Sequence, residues 1–230
     1  MIWHEAVSGR WKEDIISTFY KFFLQQRDSE KIVLWLDNCA SQNKNWTLLS
    51  FLVYIINSNH ISAKEINFLY FEPGHTFMSA DSFHHQVELS LKRQGKTYDF
   101  DDFSKAVADA NNQRVKVIPM NFEDFFEWED HTSQAKLKKS AERVYLKDIV
   151  HLKATRGEFN LFYKSNYSDS NFKTLDFLKK NSAKENGMPF PSHIPSSRGF
   201  PAEKKVKILS ELNGLIPENR KQFWSDLPES

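Results

Sequence analysis

The chain has 230 residues, an apolar fraction of 40% and a formal net charge of +1. Its 20 Phe and 6 Trp provide enough bulky apolar side chains for a sizeable core, which argues against a disordered chain. A single cysteine excludes an internal disulfide framework. The sequence has no run of about 18 apolar residues, and its first residues lack the basic flank and apolar core that are typical of a signal peptide. We therefore expect an intracellular protein without a membrane span.

The first part of the chain alternates predicted helices and strands. Residues 11–26 carry apolar side chains at helical spacing, which predicts an amphipathic helix. The short apolar run 32–36, "IVLWL", opens with β-branched residues and predicts a strand covered on both faces. A buried helix, a second strand and a third helix follow at about 46–59, 65–72 and 79–94. This order is typical of an α/β protein with parallel strands.

Beyond Lys96 the pattern changes. Residues 98–112 predict a short helix with an acidic start, and three β-rich runs within 113–167 predict a small antiparallel β unit with a hairpin turn at Gly157. Residues 181–201 contain four prolines, which predicts a linker or extended arm before a last helical segment at 202–213. We predict three segments: a core at 1–112, a basic antiparallel β unit at 113–180, and a Pro-rich arm with a C-terminal helix at 181–230.

Charge is unevenly distributed along the sequence. Residues 1–113 contain 11 Lys and Arg against 14 Asp and Glu, whereas residues 131–184 contain 12 against 5. The second half is therefore the better candidate for contacting a polyanion such as DNA. The alternative is an ordinary solvated basic face.

Acidic residues follow the two predicted parallel strands. Functional residues of open α/β sheets collect at the carboxyl ends of strands, and Asp37 lies at one such end. After the other strand, Asp81, His84, His85 and Glu88 share one helix face. Two-metal phosphoryl transfer uses acidic ligands that converge from separate elements. Asp37 with Asp81 or Glu88 is therefore a candidate Mg²⁺ site.

Other interpretations of these residues stay open. Asp37 taken alone is more typical of a helix cap or turn former than of a catalyst. A structural zinc site built from His75, His84 and Glu88 is a further alternative, although the sole thiol is Cys39. The sequence has no glycine-rich loop of the kinds that bind nucleotides, which argues against that function.

Four motifs occur in a characteristic order: "WHEAVSGR", "LWLDNCASQNKN", "GHTFMSADSFHHQVE" and "FWSDLP". Together they resemble a family of transposase-derived proteins with an RNase H-like, DDE-type integrase core, and the resemblance covers nearly the whole chain. It implies a nuclear protein that acts on DNA with Mg²⁺ or Mn²⁺, and it leaves a homo-oligomer open.

The resemblance also assigns roles to particular residues. Asp37 matches the acidic position after the fourth strand of the RNase H-like fold. Asp81 matches the third acidic position, with Glu88 as the competing choice. Five further residues would lie in the same pocket: His75 and His84, which would position a phosphate or a metal-bound water, and the hydrogen-bonding residues Asn38, Gln42 and Asn45.

One departure from the family pattern affects the expected activity. If residues 2–5 form the third strand, the first two strands are missing, and with them the first acidic residue, which bridges both metal ions. The resemblance therefore implies a partial RNase H-like core for metal-dependent DNA strand cleavage or transfer that is incomplete or inactive in this chain. The alternative is a non-catalytic DNA- or protein-binding module kept from a transposase.

Overall fold

A computed structural model describes residues 1–71, 79–130, 138, 144–179, 189–212 and 214–230. These residues form a mixed α/β protein, which confirms the predicted fold class at that level. They divide into two compact units. The sheet unit comprises Arg10–Thr76 and Asp124–His193, and the helical unit comprises Met1–Gly9, Phe77–Glu123 and Ile194–Ser230. The sequential division at residues 112 and 180 stays a prediction.

The sheet unit contains a mixed sheet whose five described strands lie in chain order. Strand β1 pairs in parallel with β2, and each later pairing is antiparallel. Its elements are α1 (Lys12–Gln25), β1 (Lys31–Leu36), α2 (Ala40–Asn43), α3 (Trp46–Asn57), β2 (Glu65–Tyr70), β3 (His151–Thr155), β4 (Leu161–Lys164) and β5 (Lys173–Leu175). The predictions for α1, α3 and both parallel strands are confirmed.

Helix α3 connects the two parallel strands. A parallel pair cannot be joined by a tight turn, so the chain must cross over the sheet between β1 and β2. Asn45 begins α3 by accepting a hydrogen bond from the backbone N–H of Leu48 at 2.9 Å. The helix is apolar nearly all round and is buried along most of its length, as predicted.

The two faces of the sheet differ in burial. Strand alternation places Ile32 and the partly buried Leu34 on the face that packs against α1 and α3, where the rings of Phe19 and Phe68 lie 5.3 Å apart. On the opposite face Val33 is 46% exposed and Trp35 is 50% exposed. The prediction that β1 is covered on both faces is therefore wrong, because both packed helices lie against the same face.

The predicted hairpin is confirmed as β3 and β4, with Gly157 at φ +86° in the turn between them. It continues the sheet begun by β1 and β2. The β-rich run at 114–128 does not form a strand, because Pro119 has no N–H for a ladder and makes only an isolated bridge with Ile2. Residues 2–5 likewise form no strand beyond that bridge, which contradicts their assignment as a third strand.

The helical unit contains α4 (Ser79–Gln94), α5 (Phe100–Ala108), α6 (Ala202–Leu212) and α7 (Lys221–Asp226). Three of these were predicted: α4, which ends before Gly95 at φ +82°, α5 and α6. Segments from both ends of the chain meet in this unit, where the N–H of Gly199 donates to the carbonyl of Ala6 at 2.9 Å. Their small core contains Ala6, Phe200 and Leu227, with Ile208, Phe223 and Trp224 packed against it.

Across the ranges that the structure describes, none of the helices combines the length and the apolar character needed to cross a membrane.

Candidate functional site

The residues that follow β1 form a polar loop, which we call the strand-end loop and define as residues 37–45. Asp37 is exposed at the carboxyl end of β1. Its Oδ1 accepts hydrogen bonds from the backbone N–H of Cys39 at 3.1 Å and from Nδ2 of Asn43 at 2.5 Å. This is the geometry of a turn-forming aspartate, and it explains why the strand stops at this position.

Asn38 connects the strand-end loop to the end of β2 by a hydrogen bond. Its Nδ2 donates to the carbonyl of Phe71, directly after β2. Its Oδ1 is buried and has no hydrogen-bond partner among the described residues. A buried acceptor without a donor is destabilising unless another group occupies that position. The Asp37 carboxylate and the Asn38 amide oxygen are hard oxygen donors of the kind that Mg²⁺ and Mn²⁺ prefer, so the two residues fit such an ion in donor type.

Two other residues predicted to line the pocket serve the backbone of the loop. Asn45 caps α3, and its Nδ2 donates to the carbonyls of Ser41 at 3.3 Å and Gln42 at 3.0 Å. Gln42 donates from Nε2 to the carbonyl of Arg10 at 3.4 Å. Asn45 therefore fixes the direction in which α3 leaves the loop.

Lys44 is a member of this loop that sequence reasoning missed. It is only 7% exposed, its Nζ donates to the carbonyl of Lys147 at 3.0 Å, and it lies 4.4 Å from the ring centre of Tyr70. Burial lowers the pKa of its ammonium group, while the nearby Asp148 carboxylate acts in the opposite direction. Lys44 lies two residues before the first residue of α3, and nothing in the local sequence distinguishes a buried lysine at this position from an exposed one.

Tyr70 also supports the loop from β2. Its hydroxyl donates to the carbonyl of Asn43 at 2.8 Å, and burial raises the pKa of the phenol. Together with Asn38 and Lys44, this contact fixes the strand-end loop to residues outside it. Three side-chain hydrogen bonds thus anchor the loop, while Asp37 itself faces solvent.

The remaining predicted residues belong to α4 in the helical unit. Asp81, His84 and Glu88 are all exposed on this helix, and Oε2 of Glu88 lies 3.8 Å from Nδ1 of His85. Their predicted common helix face agrees with the extent of α4. His75 lies outside the described residues. The structure thus groups Asp37 with Asn38 in one unit and groups the α4 residues in the other.

The described residues contain no cluster of three or more His, Cys, Asp or Glu side chains that could hold a metal ion. The magnesium site and the alternative zinc site both stay predictions.

The fold and the strand-end loop define an α/β protein with a polar loop at the carboxyl end of a parallel strand pair. Residues 14–168 match the family described as "Domain of unknown function (DUF7869)", and the chain belongs to that family. The match extends from α1 to just past β4, so it includes the strand-end loop and α4. No curated protein and no solved structure matches the chain.

Proposed function

We propose that the chain is a transposase-derived domain with a partial RNase H-like core, and that it acts on DNA in the nucleus. Asp37 and Asp81 would hold Mg²⁺ or Mn²⁺, with Glu88 as the competing choice for the second ligand. The observation that carries the proposal is the order of elements. An exposed Asp37 follows the first of two parallel strands, and a helix with exposed acidic residues follows the second. That order is the one the family resemblance implies.

Donor chemistry at the strand-end loop supports this proposal. Asp37 supplies a carboxylate, and Asn38 supplies a buried amide oxygen that lacks a donor among the described residues. A divalent ion held there would stabilise negative charge on a phosphate and lower the pKa of a bound water. The loop's own contribution is rigidity, since Lys44 and Tyr70 hold its backbone in place.

The edge of the sheet also agrees with a partial core. Strand β1 pairs with β2 on one side, and no strand in the described part of the chain pairs with its other side. A free strand edge can accept a further strand. The strands that the resemblance implies, one of which carries the first acidic residue, would have a place to pair there.

A second candidate function is a non-catalytic DNA- or protein-binding module. The observation that favours it is the use of Asp37 Oδ1 within the turn, where it already accepts two hydrogen bonds. A carboxylate with that role has a structural reason to be present without any metal.

Metal titration of two Asp37 variants distinguishes the candidates. Asn at position 37 retains an oxygen that accepts the hydrogen bond from Cys39 but removes the charge, whereas Ala removes both. Under the metal proposal, D37N keeps the thermal stability of the wild type while its Mn²⁺ affinity, measured by calorimetry, falls roughly tenfold or more. D37A loses affinity and also about 1 kcal/mol of stability.

Matched controls complete this experiment. Asp28, whose side chain is 88% exposed, is the control aspartate in the sheet unit, and D28A should bind Mn²⁺ like the wild type. Separate D81A and E88A variants identify the second ligand by which of them weakens binding. If D37N and the wild type bind Mn²⁺ with the same affinity, Asp37 is not a metal ligand. That result would favour the second candidate function, a non-catalytic binding module.

A further inference from the structure

The sheet unit has a second surface with chemistry of its own, on the sheet face opposite α1 and α3. We call it the open face and define it by Val33, Trp35, Lys153, Phe162, Lys164 and Phe172. Strand register places the first five in two rows across the sheet. Val33, Lys153 and Phe162 share one row through Asn67, and Trp35 and Lys164 share the next row through Leu69 and His151. Phe172 contacts these rows from the segment before β5.

Aromatic rings form a platform on this face. Trp35 is 50% exposed, and its ring stacks on Tyr167 with centres 6.1 Å apart and an angle of 29° between the planes. Phe162 and Phe172 are only partly buried. A contiguous group of apolar rings at a solvent surface often marks an interaction site.

Positive charge accompanies the rings. The ammonium of Lys153 lies 4.2 Å from the ring centre of Phe172 and 5.4 Å from that of Phe162, and Lys164 lies 4.9 Å from Phe172. Lys164 also donates to the backbone carbonyl of Asp169 at 2.6 Å. Glu65, which lies two residues before Asn67 on β2, is paired with Lys31 at 2.8 Å. Neither Lys153 nor Lys164 has an ion pair with a carboxylate among the described residues.

We infer that the open face binds single-stranded DNA. Unpaired bases would stack on Trp35, Phe162 and Phe172, and the phosphates between them would contact Lys153 and Lys164. A duplex presents its bases to each other instead of to a protein ring, so this surface favours a single strand over a double strand. The face spans about 14 Å from β1 to β4, and four-stranded sheets stack two or three bases in this way.

The open face lies close to the strand-end loop. Trp35 precedes Asp37 by two residues, which is about 7 Å along an extended strand. A single strand on the face would therefore end beside the loop that carries Asp37. The choice of DNA over RNA rests on the proposed function, whereas the preference for a single strand rests on the rings and lysines alone.

Fluorescence anisotropy of labelled oligonucleotides tests this inference. The probes are a 15-nucleotide oligo(dT), a duplex of the same length and oligo(rU), each measured with the whole chain at low salt in EDTA. We expect the oligo(dT) to bind at least roughly tenfold more tightly than the duplex, and more tightly than the oligo(rU). EDTA removes divalent ions, so this measurement does not depend on the proposed metal site. A lack of oligo(dT) binding would therefore not contradict the metal proposal, and a lack of metal binding would not contradict the single-strand proposal.

Ring variants test the stacking platform. W35L and F172L keep apolar bulk at each position, so the sheet should still fold, but they remove the ring. Each should weaken oligo(dT) binding roughly tenfold. The control is W11L, because Trp11 is 77% exposed in the same unit and lies outside the open face. Its affinity should equal that of the wild type.

Lysine variants test the phosphate contacts through the salt dependence. The double variant K153Q/K164Q should lower the slope of log affinity against log salt by about 1.4, since each single-strand phosphate contact contributes about 0.7. W35L should lower the affinity and leave the slope unchanged. K64Q is the control, because Lys64 is exposed and is not one of the residues of the open face. Its Nζ pairs with Oε1 of Glu30 at a distance of 2.7 Å.

Four outcomes would overturn the inference: no binding of oligo(dT) at low salt, equal or tighter binding of the duplex, tighter binding of the oligo(rU), or ring and lysine variants that bind like the wild type. Circular dichroism spectra and melting temperatures measured on each variant show that a lost affinity is not a lost fold.

Discussion

The sheet unit and the helical unit are stabilised in different ways. The sheet unit has one continuous apolar core that joins α1, α3 and the buried face of the sheet, with Phe23, Phe51 and Trp128 among its fully buried side chains. Each of these rings buries a large apolar area, and such burial is the dominant favourable term in folding. Cooperative stability is expected to be concentrated there.

The helical unit relies on fewer apolar contacts and on an ion-pair cluster. It contains an open surface pocket of about 370 Å³ whose lining includes His4, Tyr98, Phe100 and Phe223. Beside it the guanidinium of Arg220 bridges Asp99, at 3.1 Å, and Asp102. A unit with a small apolar core has less stability to lose before part of it unfolds locally. We therefore expect the helical unit to exchange its amide hydrogens first.

The largest expected effect concerns the core of the sheet unit. Trp128 is fully buried, its ring lies 4.8 Å from that of Phe51, and its Nε1 donates to Ser17 Oγ at 3.0 Å. W128A should lower the free energy of unfolding by about 3–5 kcal/mol, measured by urea denaturation. The exposed Trp11 is the control, and W11A should change it by less than about 0.5 kcal/mol. A loss below about 1 kcal/mol in W128A would show that the apolar core does not carry the stability of this unit.

A smaller effect is expected at Arg156, which follows β3. Its guanidinium donates to the carbonyls of Ala63 at 2.8 Å, Ser58 at 2.9 Å and Ile61 at 2.5 Å, which join the hairpin to the segment between α3 and β2. R156A should cost about 2–3 kcal/mol, because three carbonyls lose a charged donor. The loss should be nearly the same in 0.05 M and 1 M salt, since the acceptors are uncharged. A loss that disappears in high salt would contradict this structural role.

Arg220 provides the matching test in the helical unit. R220A should cost about 1–2 kcal/mol and should accelerate amide exchange in α5, because Asp99, whose side chain is 5% exposed, loses its cation. The effect should shrink in high salt, unlike that of R156A. K207A removes an exposed ion pair with Glu211 at 3.9 Å and should have almost no effect. If exchange in the sheet unit accelerates equally, the two units unfold together.

The smallest expected effect is a pH dependence carried by His151. Burial lowers the pKa of this imidazole, Lys164, Lys153 and Lys31 lower it further, and Glu65 opposes them. Nε2 of His151 lies 2.8 Å from Oδ1 of Asn67. Because the unfolded chain takes up a proton more readily, stability is complete above about pH 6.5 and decreases as the pH falls below that value.

The measurement is the unfolding free energy at pH 7.5 and pH 5.5 for the wild type, H151Q and H4Q. Burial also lowers the pKa of His4 in the helical unit, so H4Q is the matched variant. Amide exchange should show that H151Q reduces the pH dependence in the sheet unit alone. An unchanged dependence in H151Q would assign it to other groups.

Much of the sheet unit could be predicted from local patterns. The helical spacing of α1, the apolar run of β1, the long apolar α3 and the glycine in the β3–β4 turn all depend on neighbouring residues in sequence. The exposed face of β1 could not be predicted, since an apolar run does not reveal which face the helices cover. The run at 114–128 has strand-like residues, but Pro119 and the surrounding tertiary contacts decided against a strand.

The candidate site shows the same limit. Asp37 was found because it ends a predicted strand, yet its partners Cys39 and Asn43 and the buried Lys44 become apparent only once the loop has folded. Nor could the sequence show that Trp35 and Lys164, which are far apart in the chain, lie in one row across the sheet. Such contacts depend on strand register, which is set by the whole unit.

The small core of the helical unit limits how this protein can be truncated. Its three buried residues and the three described residues packed against them all lie outside the family match at residues 14–168: Ala6, Phe200 and Leu227, with Ile208, Phe223 and Trp224. A chain cut to that segment would keep α4 and α5 but lose the apolar side chains around which the two chain ends meet. A truncation meant to isolate the family domain would thus retain the sequence signature and discard part of the folding unit. The ends of an expressed fragment should therefore be chosen by which residues pack together, not by the limits of the family match.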